Sequence, residues 1–386
     1  MKVLLKKGEE DRLLAGHLWV YQNEIQSISG EKEDDIVSVY SLKGKFLGRG
    51  GYNPASKIAV RLLTRADEPV DRALFERRIK DAVALRRVLG WPDACRLVFS
   101  DADLLPGLIV DKYGDYLVVQ LLTLTMDRRR EMIASILAET LGPKGILERD
   151  DAVVREKEGL SEIIQVLFGE IPSSVDIREN EALMRVDLFH GQKTGHYLDQ
   201  RQNRAAIRPY VKDRRVLDAF CHTGGFSVHA ALYGASDVTA VDASESALLS
   251  ARMNFLLNGL QHCKTVCANV FDLLKEYEGA GETFDTIILD PPAFCKTKSA
   301  VAGAYRGYKE INLRALKLLS PGGFLITFSC SHHMTPELFY AMLLDAARDA
   351  GRQCRLIERR MQAADHPASL SSPESLYLKC AILQAL

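Results

Sequence analysis

The sequence predicts an α/β protein of three parts: a β-rich segment over residues 1–70, a central α+β segment over 71–184, and a parallel sheet covered by helices over 185–386. Three observations carry this. A chain of 386 residues is about twice the usual size of one domain, so more than one core is expected. Hydrophobic residues at 47% and charged residues at 26% supply such cores and exclude a disordered chain. Beyond residue 185, short apolar runs alternate with helical patterns, the order that a parallel sheet with crossover helices requires.

At the N-terminal end, strands are expected at 35–40, 45–48 and 58–63, punctuated by Lys43-Gly44, Gly50-Gly51 and Asn53-Pro54. Residues 40–66 carry Lys43, Lys45, Arg49, Lys57, Arg61 and Arg65 without an acid, interleaved with Tyr40, Phe46 and Tyr52. That pattern suits phosphate contact with base packing, and it equally suits a solvated strand face. A helix over 71–89 follows from Leu74, Phe75, Ile79, Ala82, Val83 and Leu89, with Gly90-Trp91-Pro92 as its stop. The central segment reads as strands at 97–99, 108–111, 116–122, 145–148, 164–168 and 182–188, with a hairpin at Tyr113-Gly114 and a helix over 127–141. Arg128, Arg129 and Arg130 at that helix's start are expected as a solvated face. The C-terminal part predicts strands at 216–220, 238–242, 264–267, 286–290 and 324–329. Helices are expected at 226–233, 245–258, 271–277, 300–319 and 336–350, and a terminal hairpin from 354–358 and 376–383.

Lys plus Arg number 50 against 51 Asp plus Glu, so the whole chain does not attract polyanions and any nucleic-acid surface must be local. The first residues hold too short an apolar run for a signal peptide, and no run of about 18 apolar residues occurs. With eight cysteines and no C-x-x-C pair, a cytoplasmic protein without a disulfide framework is expected. His262, Cys263 and Cys267 form a lone cluster, so no metal is expected.

The segment from Asp218 to Phe226 follows a strand and opens a helix, placing Gly224 and Gly225 where the backbone must turn tightly beside a ligand. It does not match G-x-G-x-x-G. Asp218 suits the ammonium of an amino-acid moiety, and Phe220 lies in the same turn. Asp242, at the end of the next strand, suits both hydroxyls of a ribose. Together these favour S-adenosylmethionine over NAD. Asn269 is placed for an adenine edge, and Lys193 and Thr194, between two glycines upstream, for the cofactor carboxylate; a surface loop is the other reading of that stretch.

The fourth strand ends Asp290-Pro291-Pro292-Ala293-Phe294, a stiff lip whose carbonyls face a planar group, with Phe294 packed near it. Such a lip suits methylation of base nitrogens as well as base carbons. Ser329-Cys330-Ser331-His332-His333 discriminates between them. Carbon 5 of cytosine becomes a nucleophile once a thiolate adds to carbon 6, so Cys330 is the candidate nucleophile. Asp290 would hold the N3 and amino edge of the base. A small core cysteine is the bland alternative, and His332 and His333 read either as proton acceptors or as polar surface.

These motifs carry a resemblance. Residues 191–195 and 197–201, Asp218 to Phe226, Asp290 to Phe294, Phe328-Ser329-Cys330-Ser331 with Met334, residues 362–367 and residues 373–379 resemble the bacterial PUA-domain-containing 23S ribosomal RNA cytosine-5 methyltransferases, over nearly the whole chain. The resemblance implies an N-terminal PUA domain, with Gly16-His17-Leu18-Trp19-Val20-Tyr21 near its start, and a C-terminal Rossmann-like class I methyltransferase domain. It implies Cys330 as nucleophile and Asp290 as the base-contacting carboxylate. It also implies 23S ribosomal RNA or a large-subunit assembly intermediate as partner, with a homodimer possible and no membrane. One departure stands out. In another subgroup of RNA cytosine-5 methyltransferases a second cysteine follows the Asp-Pro lip, where this chain has Ala293, with Cys295 two residues on; product release is therefore expected to use another base. The rival expectations are an N-methyltransferase acting on guanine or adenine, with Cys330 structural, and a non-catalytic ribosome-assembly factor.

Overall fold

In the computed structural model, which describes residues 1–30, 34–90, 93–295 and 297–386, the apolar runs after residue 214 form one seven-stranded sheet. Its strands are β1 (Arg215–Ala219), β2 (Asp237–Asp242), β3 (Cys263–Cys267), β4 (Phe284–Leu289), β5 (Leu319–Ser329), β6 (Cys354–Arg360) and β7 (Lys379–Ala385). They lie in the order β3-β2-β1-β4-β5-β7-β6. The first five are parallel, whereas β7 runs antiparallel to both β5 and β6. Helices α1 (Gly225–Leu232), α2 (Glu245–Leu257), α3 (Val270–Ala280), α4 (Val301–Leu318) and α5 (Pro336–Asp349) alternate with them.

Local chemistry sets these boundaries. The side chains of Ser244, Asn269 and Thr335 accept backbone N–H bonds at the starts of α2, α3 and α5, and Pro336 opens α5. Phe284, Ile287, Ile288 and Leu289 of β4 are buried, as a strand covered on both faces must be. The strand order reverses between β1 and β4, so their carboxyl ends border the crevice where such sheets bind ligands. The expected C-terminal strands do pair, from Cys354 with Ala385 to Arg360 with Cys380.

The chain divides into two compact units interleaved in sequence. The first holds Met1–Ile177, Val186–Leu198 and Ala364–Ser375; the second holds Arg178–Arg185, Asp199–Ala363 and Leu376–Leu386. The three segments expected at 1–70, 71–184 and 185–386 are thus distributed over two units. The connection between β6 and β7 is accordingly no tight hairpin turn, because residues 364–375 belong to the first unit.

The first unit carries a six-stranded sheet built from Lys2–Leu5, Trp19–Val20, Ile25–Ser29, Ile36–Tyr40, Phe46–Tyr52 and Val60–Thr64. Val3, Leu5, Val20, Val37, Val39, Val60 and Leu62 form its core. A five-stranded sheet follows from Ala94–Phe99, Leu108–Tyr113, Tyr116–Leu121, Gly145–Asp150 and Ile163–Gly169. Helices Arg72–Val88 and Arg130–Leu141 bury Leu74, Phe75, Ile79, Ile133, Ile136 and Leu137 with it. The expected helix stop at Trp91 and Pro92 lies outside the described residues.

Two expectations about charge are corrected here. The Arg128–Arg130 run is a solvated face only at Arg128, which is exposed: Arg129 donates to Asp34 and Asp35, and Arg130 to Asp127 and Glu148. The basic stretch over 40–66 is split as well. Arg49 bonds to Asp67 and Arg65 to the Leu13 and His17 carbonyls. Arg61 forms a two-point pair with Glu158 at 2.8 and 3.1 Å. Lys43, Lys45, Lys57 and Arg65 are the exposed cations of the stretch, Arg65 being the one tied to backbone carbonyls.

Candidate active site

The carboxyl edge of the second unit's sheet gathers three carboxylates from three strands. Asp218, the penultimate residue of β1, is buried, and its Oδ2 accepts from the Ser227 hydroxyl at 2.6 Å. Its Oδ1 is buried with no hydrogen-bond partner among the described residues. Burial pushes its pKa up to about 6, with the Ser227 bonds pulling the other way. An unmatched buried acceptor at a strand end fits the ammonium of an amino-acid moiety, which brings the missing donor.

Asp242 ends β2 and ties two turns together. Its Oδ2 accepts from the His222 backbone and its Oδ1 from the Ser244 backbone, each at 2.9 Å. A carboxylate oxygen has a second lone pair, so both oxygens retain capacity for ribose hydroxyls. The β1–α1 turn is held in unusual backbone: Phe220 has φ +65°, His222 φ +50° and Gly224 φ +77°. At Gly224 a side chain would also come within 3.1 Å of Ala251 Cβ, so the turn packs close against α2. Asn269 is exposed, and its Oδ1 accepts the Phe271 N–H as the cap of α3, leaving the amide NH₂ as the donor it can offer a base.

Asp290 follows β4 and is half-buried. Packing around it, then the neighbouring Asp199 carboxylate, push its pKa up to about 7, against the pull of Arg204 and Gln200. Gln200 Nε2 donates to Asp290 Oδ2 at 2.9 Å, and Asn203 Nδ2 donates to Gln200 Oε1 at 2.7 Å. Pro291 is buried and Pro292 exposed. The Phe294 ring packs with Phe271 at 5.8 Å and Tyr308 at 4.6 Å between centroids.

Cys330 is half-buried, directly beyond β5, and its Sγ donates weakly to the Pro291 carbonyl at 3.9 Å. The strand-end thiol and the Asp-Pro-Pro lip therefore meet. Its turn is pinned, because Ser331 Oγ bonds to the Tyr308 hydroxyl at 2.8 Å and accepts from the Cys295 backbone at 3.1 Å. Cys295 is buried, its sulfur donating to the Thr297 carbonyl at 3.1 Å. His332 is exposed and His333 half-buried.

Lys193 and Thr194 lie in the first unit. Lys193 sits over the Tyr197 ring at 4.4 Å. Thr194 is fully buried, its hydroxyl donating to Asp111 at 2.6 Å and lying 2.9 Å from the Tyr113 hydroxyl. Two residues of the second unit had no role in the sequence reading: Gln200, which orients Asp290, and Lys379, whose ammonium donates to the carbonyls of Ser331 and Tyr377 at 2.7 Å each. Both stand inside motifs that carried the resemblance, the only sequence signal that pointed to them.

Residues 91–374 match the family described as S-adenosylmethionine-dependent methyltransferase. This chain belongs to that family. Residues 3–65 of the methyltransferase match a PUA-like domain, the span of the six-stranded sheet. It is 45% identical to ribosomal RNA large subunit methyltransferase I of Tolumonas auensis, over 100% of this chain and 99% of that protein. It is 43% identical to the protein of the same name from Pseudoalteromonas atlantica, again over 100% and 99%. A solved Streptococcus mutans chain, titled as a proposed SAM-dependent methyltransferase, superposes with a TM-score of 0.85 at 23% identity over 100% of both chains. A second solved structure, titled as a proposed methyltransferase complexed with SAH, gives 0.86 at 24%, also over 100% of both chains. These two establish the fold. No helix among the described residues is long and apolar enough to cross a membrane.

Proposed function

We propose that this methyltransferase forms 5-methylcytosine in large-subunit (23S) ribosomal RNA through a transient bond between Cys330 and carbon 6 of the base. The observation that carries the reading is the half-buried Cys330 sulfur at the carboxyl edge, 3.9 Å from the carbonyl of the lip that begins at Asp290. The names of the full-length relatives support ribosomal RNA of the large subunit as substrate.

The sulfur of Cys330, as thiolate, adds to carbon 6 and breaks the aromaticity of the ring, making carbon 5 enamine-like. Bound S-adenosylmethionine supplies the methyl group from its sulfonium. Asp218 would hold the cofactor's ammonium, Asp242 its ribose and Asn269 its adenine edge, with Phe220 and Gly224 shaping the turn against it. Asp290, titrating near neutrality, can offer a protonated oxygen to N3 as negative charge develops there, while Gln200 fixes its other oxygen. Pro291, Pro292 and Phe294 form the wall beside the base. Loss of the carbon 5 proton then expels the Cys330 thiolate. The buried Cys295 sulfur bonds elsewhere, which favours a different group as that base.

Replacement of Cys330 by Ala should abolish methyl transfer to 23S ribosomal RNA, read by bisulfite mapping of cytosines in RNA incubated with the purified variant. RNA containing 5-fluorocytosine at the target should trap the unmodified enzyme covalently, since fluorine cannot leave as a proton does. Full turnover by the Cys330→Ala enzyme would overturn the covalent reading and favour nitrogen methylation.

A further inference from the structure

We propose that Lys379 is the counter-ion of Cys330, a positioning residue that holds the nucleophile as a thiolate through its ammonium. The inference deepens the reading of Cys330 as nucleophile and rests on it.

The geometry comes from strand pairing. Lys379 opens β7 opposite Ser329, the last residue of β5, so its side chain starts one residue from the thiol. Its Nζ lies 2.7 Å from the carbonyl of Ser331, the residue directly after Cys330. The residue is 5% exposed, and among the described residues it forms no ion pair with a carboxylate. Its two acceptors are the Ser331 and Tyr377 carbonyls, whereas an ammonium has three donors. A buried cation without an anion is costly unless a charge of opposite sign arises beside it.

The thiol supplies that charge. Proton transfer from Cys330 Sγ to a neutral Lys379 amine gives thiolate and ammonium; one S–H bond breaks, one N–H bond forms, and no co-reactant is needed. Burial lowers the Lys379 pKa to about 8 while the Cys330 charge raises it, which brings the amine down to the range of an ordinary thiol, about 8.5. Of the other titratable groups nearby, Tyr308 of α4 interacts electrostatically with Cys330, Asp290 precedes the Pro291 whose carbonyl the thiol meets, and His332 and His333 follow Cys330 in its own turn.

The test is the pH dependence of Cys330 alkylation by iodoacetamide in the full chain, read peptide by peptide by mass spectrometry without RNA or cofactor. Exposed Cys267 serves as an internal reference and fully buried Cys380 as a reporter of unfolding. The unmodified enzyme should show a Cys330 midpoint at least one pH unit below the ordinary thiol value of about 8.5. Lys379→Met should raise that midpoint and slow alkylation at pH 7, roughly tenfold for every pH unit by which the midpoint rises, with Cys267 unchanged, and Lys379→Arg should keep it low. An ordinary midpoint in the unmodified enzyme, or a Lys379→Met profile that overlays it while Cys380 stays protected, overturns the proposal. Should Lys379→Met expose Cys380, the Lys379→Arg midpoint decides in the same two directions. Turnover by Cys330→Ala reports separately on the nucleophile itself, so the two readings fail on different measurements.

Discussion

In the first unit the buried Glu158 carboxylate meets Arg61, Ser56 and Asn53 together, whereas in the second, among the described residues, the equally buried Asp218 keeps one oxygen without a partner and Lys379 pairs with no carboxylate. Water would satisfy any of these groups, and burial removes it. Around Glu158 the protein replaces the lost water with its own donors, and the result ties the N-terminal sheet to the segment after Gly145–Asp150. Around Asp218 and Lys379 the replacement is incomplete, which fits groups that wait for a cofactor or a reacting sulfur.

The contrast can be broken at either end. The largest effect is expected at Glu158→Ala, which strands the Arg61 guanidinium: folding stability should fall by about 3–5 kcal/mol in urea denaturation. A loss below about 1 kcal/mol would mean that the pair is not structural. Asp218→Ala should act the other way round, weakening S-adenosylmethionine binding by about 1.5–3 kcal/mol in calorimetry, with stability unchanged or raised because an unmatched carboxylate has gone.

The raised Asp218 pKa gives this a pH signature. Its folded value of about 6 lies above the ordinary aspartate value of 3.8, so its contribution to stability is fully present below about pH 4 and is lost as pH rises through 6. Cofactor binding runs oppositely, since the ammonium needs the ionised form. Affinity should therefore fall below about pH 6, by up to roughly tenfold per pH unit, and Asp218→Asn should flatten that dependence. The smallest effect is expected at the N-terminal sheet. Replacing Lys43, Lys45 and Lys57 together by Ala should lower the slope of log RNA affinity against log salt by about 0.7–0.9 for each phosphate no longer neutralised, while Arg49→Ala should leave it unchanged. Fluorescence anisotropy across salt concentrations checks both.

Much of the second unit was legible because each of its central strands is buried on two faces and must be written in apolar residues, as in Ile287-Ile288-Leu289. Strand-end carboxylates such as Asp218, Asp242 and Asp290 stand out against such runs, and the turn bearing Gly224 announces itself by its glycines. The strands at Lys2–Leu5, Trp19–Val20 and Ile25–Ser29 were missed because they are short, and Ile25–Ser29 is mostly exposed, so no alternation accumulates. Arg129 and Arg130 read as surface because their acids, Asp34, Asp35 and Glu148, are distant in sequence.

Sequence alone therefore determined the alternating α/β pattern, the carboxylates at its strand ends and the thiol beyond β5, since burial and turn geometry constrain residue type position by position. Tertiary structure alone decided which charges are matched. Gln200 reaches Asp290 across 90 residues and Lys379 reaches the turn of Cys330 across 48, through strand order and register that no local pattern encodes. Electrostatic pairing acts through space over a few ångströms, and only the folded chain sets those distances.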